Sequence, residues 1–459
     1  MLVATKKIFL IFKAFPVFTL GNLFVSIALL TLSHPCSANN EDDSSFLNHL
    51  LRAAKQSPEY RAAEWELGAS ISEIDAAYGQ NYPQINALGS IGVTRIFSKG
   101  GGNYPLGSAF LELRENIWNK SFNAQTRLKR AEFEERKANT ASTQVTILRR
   151  YSMLYVDWIN AQQLESIYNN QVKLLEKIIE MNKKRFARGD DTKLTLQQAN
   201  MRLLNAESQV KLIHIRTTSL KQRLAMEAQD NGPEKAMPEE FENVFDSLLK
   251  TKSKENSYYG NETRRTRLDV QDANVELSRS AFGPRLDFVA RAGATNYASN
   301  TSFQYSGKTL IPEVDLGLEL TVPIYDGNTH THALRAALQR RNAVEEHNKA
   351  ELAVTHEQIV DFTASQQMGE NSKSTHKEVL KIANERTVAL ETQMKYGMNT
   401  MFELLTASEE LLQADRQRVT DLQTHLQANV ELAVTTNRLT VDELEKLERS
   451  SVENHEFEP

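Results

Sequence analysis

The residues that could do chemistry are few and scattered. Glu112 and Glu319 are carboxylates that could act as an acid–base pair. His330 and His332 are the closest histidine pair near an acidic residue. Lys99-Gly100-Gly101-Gly102 is the only glycine cluster with a lysine. None makes a convincing site. The histidines are two apart at the start of a helix, so they point to different sides, and no HExxH or cysteine partner accompanies them. No metal or cofactor is expected. No helix opens after the glycines, so they mark a hairpin tip rather than a phosphate cradle. No nucleophile–base arrangement is visible, and an enzyme is not expected. Glu112 and Glu319 gain interest from elsewhere: they hold equivalent places in two repeats.

The repeat is clearest in GDDTKLTLQQANMRLLNAE, 189–207, and GMNTMFELLTASEELLQAD, 397–415, which align without a gap. Seven positions are identical, among them Gly189/Gly397, Thr192/Thr400, Leu196/Leu404 and Ala199/Ala407. Self-similarity at a fixed spacing indicates a repeated structural unit. Gly189 and Gly397 suit the left-handed residue that ends a helix. Thr192 and Thr400 suit the N-cap of the next one. Thr400 with Glu403 forms a capping-box pattern. Each copy therefore predicts a tight turn between helices, with Asp190, Asp191, Met398 and Asn399 beside it.

Long helical runs precede both turns. From Ser121 to Arg188 there is neither proline nor glycine, and apolar residues recur at steps of three and four: Ile147, Tyr151, Leu154, Trp158. Such a run predicts a helix of about 100 Å. A second run, Asn328 to Tyr396, is broken only by Gly369-Glu370-Asn371-Ser372, expected to kink or loosen it. Before each run lies strict alternation. In 313–324, Val314, Leu316, Leu318 and Leu320 face one way; Glu313, Asp315, Gly317 and Glu319 face the other. FLELRENIWNK (110–120) is its counterpart, with Glu112 at the place of Glu319. Ile85, Ala87, Gly89, Ile91 and Val93, and Leu286, Phe288, Ala290, Ala292 and Ala294, line two further strands. Two hairpins result, with polar loops at Ser98–Gly107 and Ala298–Thr309.

Strands of this length with one apolar and one charged face fit a membrane β-barrel, lipid outside and water inside. Trp118 and Tyr325 fit an interfacial belt. Four strands cannot close a barrel. Two copies would make a narrow one; three make twelve strands and a wet bore, which the inward acids Glu112, Asp315 and Glu319 favour. The expected fold class is an α+β membrane protein with an internal two-fold repeat: long helical hairpins forming a periplasmic α-barrel, and four strands per chain contributing to a trimeric twelve-stranded outer-membrane barrel.

The bulk properties agree. The 459 residues carry a net charge of −5, which gives no nucleic-acid footprint. A mean hydropathy of −0.47 excludes a bundle of membrane helices. Lys6, Lys7 and Lys13 before the apolar run Phe15–Leu32, then Cys36-Ser37-Ala38, predict a signal peptide over 1–38. His34 and Pro35 are not the small residues expected before a lipidated cysteine. The expected segments are a first repeat, 39–232 (helix, β-hairpin 84–118, helix 121–188, helix 192–228); an inter-repeat decoration, 233–260; a second repeat, 261–445 (helix, β-hairpin 285–324, helix 328–396, helix 400–445); and a tail, 446–459.

On these motifs, ENIWNKS with VPIYDGN and FARGDDTKLTLQQA with MKYGMNTMFELLTA, the chain resembles the TolC-like outer-membrane efflux protein family over nearly all of its mature length. The resemblance implies a homotrimer in outer-membrane lipid of a Gram-negative bacterium. It implies a passive exit duct for toxic compounds or secreted proteins, docked on a periplasmic adaptor and an inner-membrane pump of the RND or ABC type. In that family the tip turns meet the adaptor, which would assign Gly189, Asp190, Asp191, Thr192, Gly397, Met398, Asn399 and Thr400 to docking. Acids near the tip gate the entrance. Glu403 stands where the family often carries one, and is equally a capping-box residue; Thr406 stands where it often carries another. Without a lipidated cysteine the resemblance leans toward a protein-secretion or general-purpose duct. A coiled-coil tether or surface stalk without a pore is the competing expectation; it has no need of lipid-length amphipathic strands.

Overall fold

The computed structural model describes residues 45–95, 103–189, 191–250, 258–297, 309–396 and 398–455. The signal segment, Asp190, Gly397 and most of both hairpin loops lie outside the described residues. The element order is α1 (Phe46–Gln56), α2 (Pro58–Gly79), β1 (Gln84–Arg95), β2 (Asn103–Asn119), α3 (Lys120–Arg188), α4 (Lys193–Ala228), α5 (Pro238–Lys250), α6 (Asn261–Ser280), β3 (Arg285–Tyr297), β4 (Thr309–Thr321), α7 (Thr329–Lys395), α8 (Met401–Thr435) and α9 (Val441–His455).

All four strands form one antiparallel sheet in the order β1-β2-β3-β4. The hairpin of each half supplies two strands, and β2 pairs with β3 to join the halves. The outer edges of β1 and β4 are open. Hairpin pairing reaches further than the composition suggests. Asn103–Gly107, expected in a loop, pair with Ile91–Arg95. At the other end β4 stops at Thr321 rather than near Ile324, because Pro323 has no N–H to give the ladder. A bulge between Asn116 and Trp118 shifts the register by one residue before β2 ends its pairing at Asn119. The chain then passes straight into α3, whose first turn is capped by Asn119 Oδ1 accepting the Ser121 N–H at 2.9 Å.

The long helices are continuous: 69 residues in α3 and 67 in α7. Each spans about 100 Å. α4 folds back along α3, and α8 along α7. The expected break at Gly369–Ser372 is absent. A Cβ on Gly369 would lie 2.6 Å from the Cβ and Nδ1 of His425. The glycine is there because α8 approaches closely, and the helix runs through it.

Two other expected segments are divided. The first helix breaks at Ser57-Pro58, where Ser57 caps α2 and Pro58 opens it, the position at which a missing N–H costs nothing. The last expected helix, 400–445, stops at Thr435. Asn437 turns left-handed, with φ 54°, and α9 begins again beyond Thr440, so much of the expected tail is helical.

The segment between the halves is no decoration. α5 buries Phe241, Phe245 and Leu248 completely. They join a core of Phe46, Tyr151, Tyr155, Trp158, Leu426 and Val430 that ties both repeats together midway along the helices. Phe46 packs on Tyr155 with ring centroids 4.5 Å apart, and the Tyr155 hydroxyl accepts the Met237 N–H at 3.1 Å. Burial pushes the Tyr155 phenol up to about 12. Glu240 accepts the Phe46 N–H at 2.9 Å, and burial raises its carboxyl above the usual range. Among the described residues no helix is long and apolar enough to cross a membrane.

Candidate functional site

Two regions carry the candidate residues: the pair of turns at the far end of the helical hairpins, and the charged face of the sheet.

At the first turn Gly189 adopts φ +81° and gives its N–H to the Phe186 carbonyl at 3.0 Å, ending α3. A side chain is strained at this φ. Thr192 caps α4, its Oγ1 accepting the Thr195 N–H at 3.4 Å. Asp191 is turned inward: its Oδ1 accepts the Thr192 N–H at 2.8 Å and the Thr195 hydroxyl at 2.6 Å. That carboxylate braces the turn. Asp190 lies outside the described residues.

The second turn uses the same plan with different groups. The N–H of Met398 reaches back to the Gln393 carbonyl at 3.1 Å, and Asn399 Nδ2 donates to Gln393 Oε1. Thr400 and Glu403 form a complete capping box: the Glu403 N–H donates to Thr400 Oγ1 at 3.4 Å, and the Thr400 N–H to Glu403 Oε2 at 3.3 Å. Glu403 remains exposed, so the structure assigns it the cap and leaves its carboxylate accessible. Gly397 lies outside the described residues. Around both turns apolar side chains stand in the open: Leu194, Phe402, Tyr396 at 75% and Met398 at 74% exposure.

The two turns are tied to each other. Arg185 Nη1 donates to the Met394 carbonyl at 3.3 Å, at the end of α7. Arg202 donates to the Leu405 carbonyl at 2.5 Å, and Lys177 pairs with Glu391. Beneath them Leu175, Ile178, Met394, Met401, Leu404 and Leu405 form a small buried cluster. The sequence patterns identified each turn separately but gave no sign of these arginine bridges.

The sheet is apolar on one face and charged on the other, apart from Glu115 on the first and Leu88, Phe110, Val289 and Ile311 on the second. Ile85, Ile91, Val93, Leu111, Val314, Leu316, Leu318 and Leu320 all stand exposed on one side, Ile91 at 98%. The other side carries an ion-pair ladder. Arg291 Nε donates to Glu112 at 2.5 Å. Arg114 reaches Asp287 and Glu319, each at 3.1 Å, and lies 3.6 Å from Glu112. Glu112 and Glu319, the suspected catalytic pair, are thus each matched by arginine. Asp315 is exposed on the same face, opposite Arg291 in register. Gly293 makes room for the Phe110 ring across the β2–β3 pair: a Cβ there would run into that ring and the Ala109 carbonyl. Sequence reasoning found the acids and missed Arg114, Asp287 and Arg291, although their parity along β2 and β3 gives the same face.

Two histidine groups fall outside these regions. The His330 ring stacks on Phe282 at 5.0 Å. Glu242, Glu370 and His425 bring possible ligand atoms within 4.8 Å of one another, but the Lys373 ammonium bonds both carboxylates and already supplies the cation.

Comparison with known proteins agrees with this architecture. Solved structures of outer membrane channels share the fold, three of them as follows. The outer membrane protein VceC from Vibrio cholerae has a TM-score of 0.69 at 18% identity, over 85% of this chain and 95% of that one. The open-state MtrE outer membrane channel of Neisseria gonorrhoeae gives 0.68 at 13%, over 87% and 91%. The CmeC outer membrane channel of Campylobacter jejuni gives 0.66 at 14%, over 88% of each. Among curated proteins no sequence matches the chain. The model of the outer membrane efflux protein family matches twice, over residues 50–225 and 263–438. Each matched block contains one strand hairpin, one long helix and one tip turn, which is the repeat the two halves display, and the chain belongs to the outer membrane efflux protein family.

Proposed function

We propose that three copies of the chain close a twelve-stranded barrel in the outer membrane, with the helical hairpins walling a tunnel through the periplasm. The assembly is the passive exit duct of a tripartite export system. The observation that carries this is the open sheet. Four strands present a bare apolar face and two unpaired edges, which only association with like strands satisfies. The strands face lipid with Leu318 and its neighbours, and water with Glu112, Asp315 and Glu319. The turns Gly189–Thr192 and Gly397–Thr400 form the tip that meets a periplasmic adaptor, below which an inner-membrane pump of the RND or ABC type loads cargo. Exposed Leu194, Tyr396, Met398 and Phe402 supply the apolar contact area for that docking. Glu403, held at the tip by its capping box, contributes one acid per chain to the tunnel entrance.

The test is Leu194→Lys combined with Met398→Lys. Both side chains are exposed and outside the caps, so trimer yield in the outer-membrane fraction is expected to stay at the wild-type level. Crosslinking to the adaptor and export of toxic compounds are expected to fall. Normal crosslinking with normal export would show that the adaptor docks elsewhere.

A further inference from the structure

We infer that Glu242, Glu370 and His425 form a binding site for a divalent transition metal, that zinc is the ion their donor set fits, and that Lys373 holds the position until the metal displaces it. The inference is independent of the duct reading. The three residues come from three helices: Glu242 from α5, Glu370 from α7 and His425 from α8. A metal there staples the inter-repeat helix to the helical hairpin of the second half.

The donors are already close. His425 Nε2 is 3.7 Å from Glu242 Oε1 and 3.9 Å from Glu370 Oε2, and the three ligand atoms all lie within 4.8 Å of one another. Ligands on a tetrahedral zinc with bonds of about 2.0–2.1 Å stand about 3.3 Å apart, so small side-chain rotations close the shell. The imidazole is oriented for the role. Its Nδ1 lies 3.3 Å from the Gln366 carbonyl. A carbonyl only accepts, so Nδ1 carries the proton of the neutral ring and Nε2 keeps its lone pair. A ring nitrogen donating to a backbone carbonyl is the arrangement that fixes metal-binding histidines. Gly369 makes room for the ring against α7, since a Cβ there would strike it.

A fourth donor stands beside the ring. Asn429 is completely buried, with Nδ2 3.3 Å from the same Nε2. Its Oδ1 has no hydrogen-bond partner among the described residues, which is a costly state for a buried acceptor. Turning the amide over exchanges the two atoms and brings the oxygen to 3.3 Å from Nε2, about the length of one tetrahedral edge. The result is a four-coordinate set of one imidazole, two carboxylates and one amide oxygen. The imidazole selects a transition ion such as zinc over magnesium, which prefers oxygen alone.

Lys373 shows where the cation stands. Its ammonium bonds the same two carboxylate oxygens, that of Glu370 at 3.0 Å. One ammonium leaves one of the two carboxylate charges unbalanced, whereas a divalent ion balances both. The lysine stem is flexible and its head partly exposed, so it can swing into water. Glu370 is exposed and gives the ion its way in.

The experiment is a zinc titration of the purified, tag-free, full-length protein in detergent, read by competition with a chromophoric chelator and by the thermal midpoint. Wild type is expected to bind zinc and to gain midpoint as zinc rises. Glu370→Gln, an exposed helical position, is expected to weaken binding at least about tenfold, as His425→Gln is, since the loss of even an outer partner of a ligand costs about that much. Lys373→Met is expected to bind zinc about tenfold more tightly or better, because the competing charge is gone. Its midpoint, lowered without metal, is expected to be restored by zinc and not by magnesium. Three results overturn the inference: zinc binding that is alike in wild type and Glu370→Gln, a Lys373→Met midpoint that zinc does not restore, or a restoration that magnesium gives equally. The first means that the zinc is held elsewhere, the second that Lys373 is a tether only, and the third that charge neutralisation without coordination suffices. If His425→Gln does not fold, Glu370→Gln and Lys373→Met decide.

Discussion

Replacing Gly369 with alanine separates two explanations of a glycine in the middle of a long helix. If the residue were a loose joint, alanine would stiffen and stabilise α7 by about 1 kcal/mol, the ordinary propensity difference. The structure predicts the opposite sign. The new methyl would sit 2.6 Å from His425 Cβ and Nδ1 and 2.8 Å from its Cγ, roughly 1 Å inside ordinary carbon contact. His425 has nowhere to go. It is 3% exposed, with Nδ1 3.3 Å from the Gln366 carbonyl and Nε2 3.3 Å from Asn429. Overpacking of this kind costs about 1–3 kcal/mol, so after the propensity gain the net loss is about 0–2 kcal/mol per chain. Valine recovers less propensity and is larger, so Gly369→Val is expected to lose more than Gly369→Ala. Gly68 in α2 provides the comparison, because nothing lies within 4 Å of its added Cβ; Gly68→Ala is expected to raise stability by up to about 1 kcal/mol. Calorimetry of the detergent-solubilised protein gives both midpoints. The reasoning is refuted if Gly369→Ala raises the midpoint as Gly68→Ala does.

Three further outcomes follow from the structure. Leu318→Arg places a charge on the apolar face of the wall, at a cost of about 2–4 kcal/mol per chain at mid-bilayer. Trimer yield in the outer-membrane fraction is expected to fall for it, while Glu319→Gln keeps wild-type yield. Phe241→Ala removes a completely buried ring from the core shared by both repeats, and is expected to cost about 3–5 kcal/mol; a midpoint shift no larger than that of a surface substitution would return α5 to the status of a decoration. Burial raises the Glu240 carboxyl above its ordinary value. Its favourable contribution is therefore fully present below the unfolded value and is lost as pH rises through the folded one. Glu240→Gln keeps an acceptor for the Phe46 N–H, so it is expected to stabilise the protein at neutral pH and to leave it no better at acid pH. Thermal scans across that range check the sign.

The features legible in the sequence are those fixed by neighbours a few residues away. Alternation gives the faces of β4 because successive side chains in a strand point to opposite sides whatever the partner strand is. Thr400 and Glu403 specify their cap within a single turn of helix, and Thr192 does the same. What the sequence left open depends on partners far along the chain. Gly369 is equally compatible with a kink and with close approach until His425, 56 positions later, is known to lie against it. Phe241, Phe245 and Leu248 have the spacing of a buried helical face, but the acids among them suggest a solvated segment until Phe46 and Tyr155 arrive. The ladder on the sheet is the strongest case. Arg114 meets Asp287 and Glu319, 173 and 205 positions away, and it does so only when β2 of the first half pairs with β3 of the second. The strands of the first half alone would leave Arg114 with Glu112 as its acid, and those of the second would leave Arg291 without Glu112. The union of the two repeats therefore does more than lengthen the wall. It sets which carboxylates of that face meet an arginine.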